Sequence, residues 1–127
     1  MTQQSPVIDV HAHIVFEALH GAAGPHGPEA AVDEQGVNFF RIGEYQLKPL
    51  SYEGSVFIDM ALRLAHMDRL GIDVQVLSAN PLTMFHGIDA ATAIAFCQRQ
   101  NDLMASAIAE HPHRLLGLGS LPMQSIT

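Results

Sequence analysis

The chain has 127 residues, about the length of one domain, and a formal net charge of −7. An acidic surface repels phosphate backbones and anionic lipids, so nucleic acids and membranes are poor partners. No apolar run reaches the roughly 18–20 residues that span a bilayer, and the first residues predict no secretory signal. The single cysteine forms no internal disulfide. We therefore expect a cytoplasmic protein.

Strand and helix patterns alternate along the chain. The predicted strands lie at about 7–11, 74–78 and 115–121, and the predicted helices lie at about 57–70 and 90–110. Strands that alternate with helices are parallel and are joined by right-handed crossovers. Apolar strands of this kind belong to a sheet covered on both faces or to a closed barrel. The pattern predicts an α/β domain over 1–127.

The connection after the first strand is long and occupies about 14–55. Glycine and proline interrupt its first half, which predicts a loop. Aromatic and aliphatic residues in 37–47 predict a small hairpin within it.

His11 and His13 stand at the end of the first predicted strand. Side chains at positions i and i+2 of a strand point the same way, so both rings can face one cation. Imidazole suits zinc and other divalent metals. Asp9 would share that face, either as an acceptor for an imidazole N–H or as a polar interior residue. The alternative is a pair of surface histidines, but the apolar strand before them and the βα pattern behind them favour metal ligands.

Arg41 lies among aromatic and aliphatic residues of the inserted segment. A guanidinium in such surroundings requires a carboxylate partner, either from a substrate or from a structural Asp or Glu. Spacing alone favours the structural partner. His86 is a weaker candidate for a pocket, because the loop after the second strand would lie at the strands' carboxyl ends. Cys97 is predicted to be a core residue.

Four stretches, in order over most of the chain, are more specific than the histidine pair alone. Ile8–Ile14 is similar to the first-strand signature of the amidohydrolase superfamily, and His66–Ser78, Cys97–Leu103 and His113–Gln124 follow it. Together they resemble the amidohydrolase-related decarboxylases, the group that contains aminocarboxymuconate-semialdehyde decarboxylase and the hydroxybenzoate decarboxylases.

The resemblance implies a metal-dependent (β/α)8 TIM barrel that holds zinc, or in some members manganese, at the carboxyl ends of its strands. It implies that His11 and His13 are the two metal ligands of the first strand and that Arg41, after Phe40, binds a substrate carboxylate. The implied activity is non-oxidative decarboxylation of a conjugated or aromatic small-molecule carboxylate. The alternative activity is metal-dependent hydrolysis of an ester, a lactone or an amide.

The chain supplies three of the eight strands of such a barrel, which typically needs about 250 residues. The family's other metal ligands and its acid–base histidine would lie beyond residue 127, so the catalytic residues are unknown. Two imidazoles are too few for a tight zinc site. We therefore expect three N-terminal βα units of an incomplete barrel, with self-association or a complementary chain. A catalytically incomplete fragment is the third alternative.

Overall fold

The fold is mixed α/β, and a computed structural model describes it for residues 5–125; the outermost residues of the predicted 1–127 domain lie outside this range. The strands are β1 (Ile8–Ile14), β2 (Glu29–Val32), β3 (Asn38–Ile42), β4 (Tyr45–Leu47), β5 (Val74–Ala79) and β6 (Leu115–Gly117), and the helices are α1 (Met60–Leu70) and α2 (Ala90–Glu110). Single 3-10 turns at Glu17–Leu19, Gly24–His26 and Pro81–Thr83 lie in the connections. No described helix combines the length and the apolar character that crossing a membrane requires.

The main sheet is parallel and has the strand order β1-β5-β6. Helix α1 connects β1 to β5, and α2 connects β5 to β6, so the connectivity is the predicted alternation of strands and helices. Both helices pack on one face of the sheet. The core between them and that face consists of Ile14, Met67, Leu77, Met104 and Leu115, which are all at most 5% exposed. The opposite face carries the histidines of β1.

Strand β1 contains a bulge, and it is longer than the predicted strand at 7–11. Asp9 pairs with Gln75 of β5, but the next pair in register is Ala12 with Leu77. Two residues of β1 therefore lie opposite the one residue between Gln75 and Leu77, as in a β-bulge. Pairing continues to Ile14, because β5 extends beside it to Ala79.

Two other predicted boundaries are corrected by hydrogen bonds from side chains. Helix α1 begins at Met60 rather than at about 57, because the Asp59 carboxylate caps its first turn. Strand β6 ends at Gly117 rather than at 121. The Asn101 amide of α2 binds the backbone of Ser120 twice, at 2.9 and 2.8 Å, so the backbone of Ser120 is hydrogen-bonded to a helix side chain rather than to a strand. Helix α2 has the bounds 90–110 that the sequence predicts.

The inserted segment folds into a second, antiparallel sheet of strand order β2-β3-β4. Strands β3 and β4 form a hairpin within the range 37–47 predicted for it. Strand β2 occupies a stretch predicted as loop. Its sequence, Glu29–Val32, contains two alanines and has weak strand propensity, so pairing with β3 rather than local preference determines its conformation.

Met67 tests how far the described core stabilises the fold. Its side chain is fully buried against β1, β5 and β6, so Met67→Ala should lower the free energy of unfolding by about 2–5 kcal/mol. Leu70→Ala on the same helix is the control, because Leu70 is 58% exposed and should cost about 0.5 kcal/mol or less. Urea unfolding measures both. Equal losses would contradict the assignment of this helix face to the core.

Candidate metal centre

His11 and His13 lie side by side on the face of β1 that points away from α1 and α2. Their Nε2 atoms are 3.2 Å apart, and their ring centroids are 5.0 Å apart with the planes nearly perpendicular. Ser78, opposite His13 in register on β5, places its Oγ 2.8 Å from His13 Nδ1. The same Oγ is 3.4 Å from the Ala12 carbonyl oxygen. The hydroxyl can donate weakly to that carbonyl and accept from Nδ1–H, which leaves His13 Nε2 with its lone pair exposed.

This arrangement fits two ligands of a divalent metal ion. Nitrogens about 2.0–2.1 Å from a tetrahedral zinc lie about 3.3–3.4 Å apart, close to the 3.2 Å between the two Nε2 atoms. At that distance two lone pairs repel each other unless a proton or a cation lies between them. The Ser78 contact also matches the rule that a metal-bound histidine uses its other ring nitrogen in a hydrogen bond. Among residues 5–125, no third His, Cys, Asp or Glu joins the pair.

Asp9 does not share the face of the histidines, which corrects the expectation from sequence spacing. The bulge puts Asp9 in register with Gln75, on the helix-covered side of the sheet. Its Oδ1 accepts a hydrogen bond from the backbone N–H of His11 at 3.1 Å, and its Oδ2 accepts one from Gln75 Nε2 at 2.8 Å. Asp9 therefore contacts the backbone of the histidine segment, and neither of these hydrogen bonds comes from an imidazole ring.

Sequence reasoning missed Arg63, a buried arginine of α1 that is 4% exposed. Its Nη1 donates to Gln75 Oε1 at 2.7 Å, and its Nη2 donates to the His13 carbonyl oxygen at 2.6 Å. One feature of the sequence could have revealed it. Arg63 is three residues after Met60 and four before Met67, so it shares the apolar face of the helix.

Hydrogen bonding and burial shift two pKa values in this network. The hydrogen bond from Gln75, followed by the one from the His11 amide, lowers the pKa of Asp9 below its ordinary value. Burial lowers the pKa of Arg63, and the negative charge of Asp9 opposes that shift. An arginine remains protonated at neutral pH, so the network contains one cation and one anion that Gln75 connects.

The lowered pKa of Asp9 predicts how stability depends on pH. A carboxylate whose pKa is lower in the folded state stabilises the protein above its unfolded pKa, about 3.9 for Asp, and loses that contribution as pH falls through the folded value. Wild type should therefore exceed Asp9→Asn in unfolding free energy by a constant amount above about pH 5, and the difference should shrink below about pH 4. Urea unfolding at each pH measures this. A difference that grows on acidification would contradict the assignment.

Arg41 lies on β3, where it forms an ion pair with Glu29 of β2. Its Nε is 2.6 Å from Glu29 Oε2, and its Nη1 donates to the carbonyl oxygens of Gly43 at 2.7 Å and Pro25 at 3.1 Å. The structural carboxylate partner considered for this residue is thus present. Within residues 5–125, Nη2 makes no hydrogen bond. The role of Arg41 in binding a substrate stays a prediction.

The other candidates lie apart from the histidine pair. A cavity of about 250 Å³ between the end of β1 and the inserted sheet is lined in part by Glu17, Phe40 and Glu53, and two carboxylates make it a poor receptor for an anion. His86 is exposed in the loop after β5. Cys97 is buried, and burial raises the pKa of its thiol, which makes it a poor nucleophile at neutral pH.

Known proteins of one kind are similar to this chain. The 2-amino-3-carboxymuconate-6-semialdehyde decarboxylase of Dictyostelium discoideum is 38% identical over 66 residues, which are 52% of this chain and 18% of that protein. The γ-resorcylate decarboxylase of a Rhizobium species is 34% identical over 97 residues, 76% of this chain and 28% of its own. Decarboxylases of the amidohydrolase superfamily are homologues of this chain. No protein-family model matches it.

The fold agrees with these relatives. The crystal structure of a Polaromonas dihydroxybenzoic acid decarboxylase, with bound manganese and the inhibitor 2-nitroresorcinol, superposes with a TM-score of 0.66 at 25% identity. The match covers 96% of this chain and 32% of that one. The described α/β fold thus corresponds to about a third of a TIM-barrel decarboxylase. The chain spans less than a third of the length of the curated relatives, which is consistent with their N-terminal portion.

Proposed function

We propose that this chain provides two ligands, His11 and His13, to the divalent metal site of a non-oxidative decarboxylase that acts on an aromatic or conjugated carboxylate. The observation that carries the proposal is the 3.2 Å approach of the two Nε2 atoms, with Ser78 at the other nitrogen of His13. The homologues support it, since those named are decarboxylases and one of them holds manganese.

The described residues of the proposed site would have different roles. When bound, a divalent ion acts as a Lewis acid on substrate oxygens or on water. The two imidazoles hold the ion, and Ser78 fixes the ring orientation and the tautomer of His13. Zinc is the first candidate, because the nitrogen spacing fits a tetrahedral ion; manganese is the second. The remaining ligands and the proton-transferring histidine would come from outside residues 5–125, on this polypeptide or on a complementary chain.

Arg41 is the candidate for binding the substrate carboxylate. Its ion pair with Glu29 is partly exposed, with 29% of the arginine side chain and 44% of the glutamate side chain accessible. Such pairs contribute about 0–1 kcal/mol, so a substrate carboxylate can replace Glu29 at modest cost. Nη2 is available to it beside Nε, and these two nitrogens form one edge of the guanidinium that can bind a carboxylate through both oxygens.

Metal binding by the chain tests the ligand assignment directly. His11→Ala and His13→Ala should each weaken Zn²⁺ binding by at least about tenfold, because each removes one of two coordinating nitrogens. Isothermal titration with Zn²⁺ and with Mn²⁺ measures the affinities and ranks the two metals. His66→Ala is the matched control, because His66 lies on the outer face of α1 against Arg69. Unchanged affinity in both ligand variants would refute the site.

Substrate turnover tests the role of Arg41. The assay uses the active assembly with 2,6-dihydroxybenzoate as the carboxylate substrate. Arg41→Lys should raise KM by about tenfold and leave metal content unchanged, because lysine cannot form a bidentate pair of hydrogen bonds with a carboxylate. Arg69→Lys on the exposed side of α1 is the control. An unchanged KM would leave Arg41 with a structural role only. Turnover of esters or lactones without release of carbon dioxide would favour the hydrolase alternative.

A further inference from the structure

A network of hydrogen bonds, buried at Arg63 and Gln75 and partly exposed at Asp9, connects helix α1 to the backbone of the histidine segment. Arg63 donates to Gln75 Oε1 at 2.7 Å, and Gln75 Nε2 donates to Asp9 Oδ2 at 2.8 Å. This network of hydrogen bonds ends at the backbone of the two histidines. Asp9 Oδ1 accepts from the His11 N–H at 3.1 Å, and Arg63 Nη2 donates to the His13 carbonyl oxygen at 2.6 Å.

The bulge makes the contact between Asp9 and the His11 backbone possible. His11 has no partner in the register between β1 and β5, because that register passes from Asp9 directly to Ala12. The His11 N–H is therefore free of the strand ladder, and the Asp9 carboxylate accepts its hydrogen bond. The network therefore fixes the backbone at the position where the sheet itself does not.

We infer that Arg63, Gln75 and Asp9 form a positioning network that sets the distance between the Nε2 atoms of His11 and His13. The inference rests on the proposed metal site. The amide of Gln75 is the central element, because it accepts from Arg63 with its oxygen and donates to Asp9 with its nitrogen. None of the three side chains is a metal ligand in this assignment.

The donor and the acceptor in the hydrogen bond between Gln75 and Asp9 can be exchanged without changing the net charge of the network. Gln75→Glu keeps the acceptor for Arg63 but turns an oxygen toward the Asp9 carboxylate. Asp9→Asn keeps the acceptor for His11 but can turn an N–H₂ toward the amide of Gln75. The double variant Asp9→Asn with Gln75→Glu restores a donor opposite an acceptor, and it has the net charge of the wild type.

Titration of the full chain with Zn²⁺ alone tests the inference. Each single variant should bind Zn²⁺ roughly 10–100-fold more weakly, the range for residues that orient metal ligands, and the double variant should recover to within about threefold of wild type. A purely electrostatic effect predicts a different pattern, because Gln75→Glu adds a negative charge and would bind Zn²⁺ more tightly. Gln98→Glu makes the same chemical change at an exposed position of α2 and should leave affinity unchanged.

The outcomes separate this inference from the proposed metal site. If both single variants bind within twofold of wild type while His11→Ala loses binding, the positioning network is refuted and the site stands. If His11→Ala and His13→Ala bind Zn²⁺ as well as wild type, the site itself is refuted. Circular dichroism checks that each variant is folded. The double variant, which restores the hydrogen bonds, still decides the case if one single variant does not fold, because its failure to recover affinity would overturn the inference.

Discussion

The bulge in β1 is the constraint on which the site depends. In a regular strand, side chains two residues apart lie on the same face, so Asp9, His11 and His13 would all share one face. The extra residue between Asp9 and Ala12 instead sends the carboxylate to the helix-covered face and leaves both imidazoles on the opposite face. A single irregularity thus puts the Asp9 carboxylate and the two candidate metal ligands on opposite faces of the strand.

Arg41 and Arg63 differ in how firmly their surroundings hold them. Arg41 pairs with Glu29 where both side chains are partly accessible, and such a pair contributes about 0–1 kcal/mol, so its partner can be exchanged. Arg63 is 4% exposed, and its charge is balanced through Gln75 by Asp9. The guanidinium of Arg63 is held by hydrogen bonds to Gln75 and to the His13 carbonyl oxygen, and leaving a buried donor without its acceptor is costly. The partner of Arg41 is therefore exchangeable, whereas Arg63 is held against the backbone of His13.

Much of the architecture follows from local sequence pattern. The three parallel strands and the two helices were predicted because each has a strong period or a β-branched run, and the histidine pair was predicted from its i, i+2 spacing. The strand Glu29–Val32 was missed because its alanines favour no strand and its pairing is nonlocal. The face of Asp9 was predicted wrongly because a bulge leaves no mark in a period-two pattern. Arg63 was overlooked because a charge on a helix usually faces solvent, although its spacing from Met60 and Met67 placed it on the apolar side.

The most direct test of the metal half-site is the behaviour of the ring nitrogens of His11 and His13 when Zn²⁺ is added to the chain labelled with ¹⁵N-histidine. The Nε2 resonances of both rings should shift together along one binding curve as metal is added, while Nδ1 of His13 keeps its proton in the contact with Ser78. A shift confined to one ring, or a shift at His13 Nδ1 instead of Nε2, would contradict the claim that the two histidines form one metal half-site.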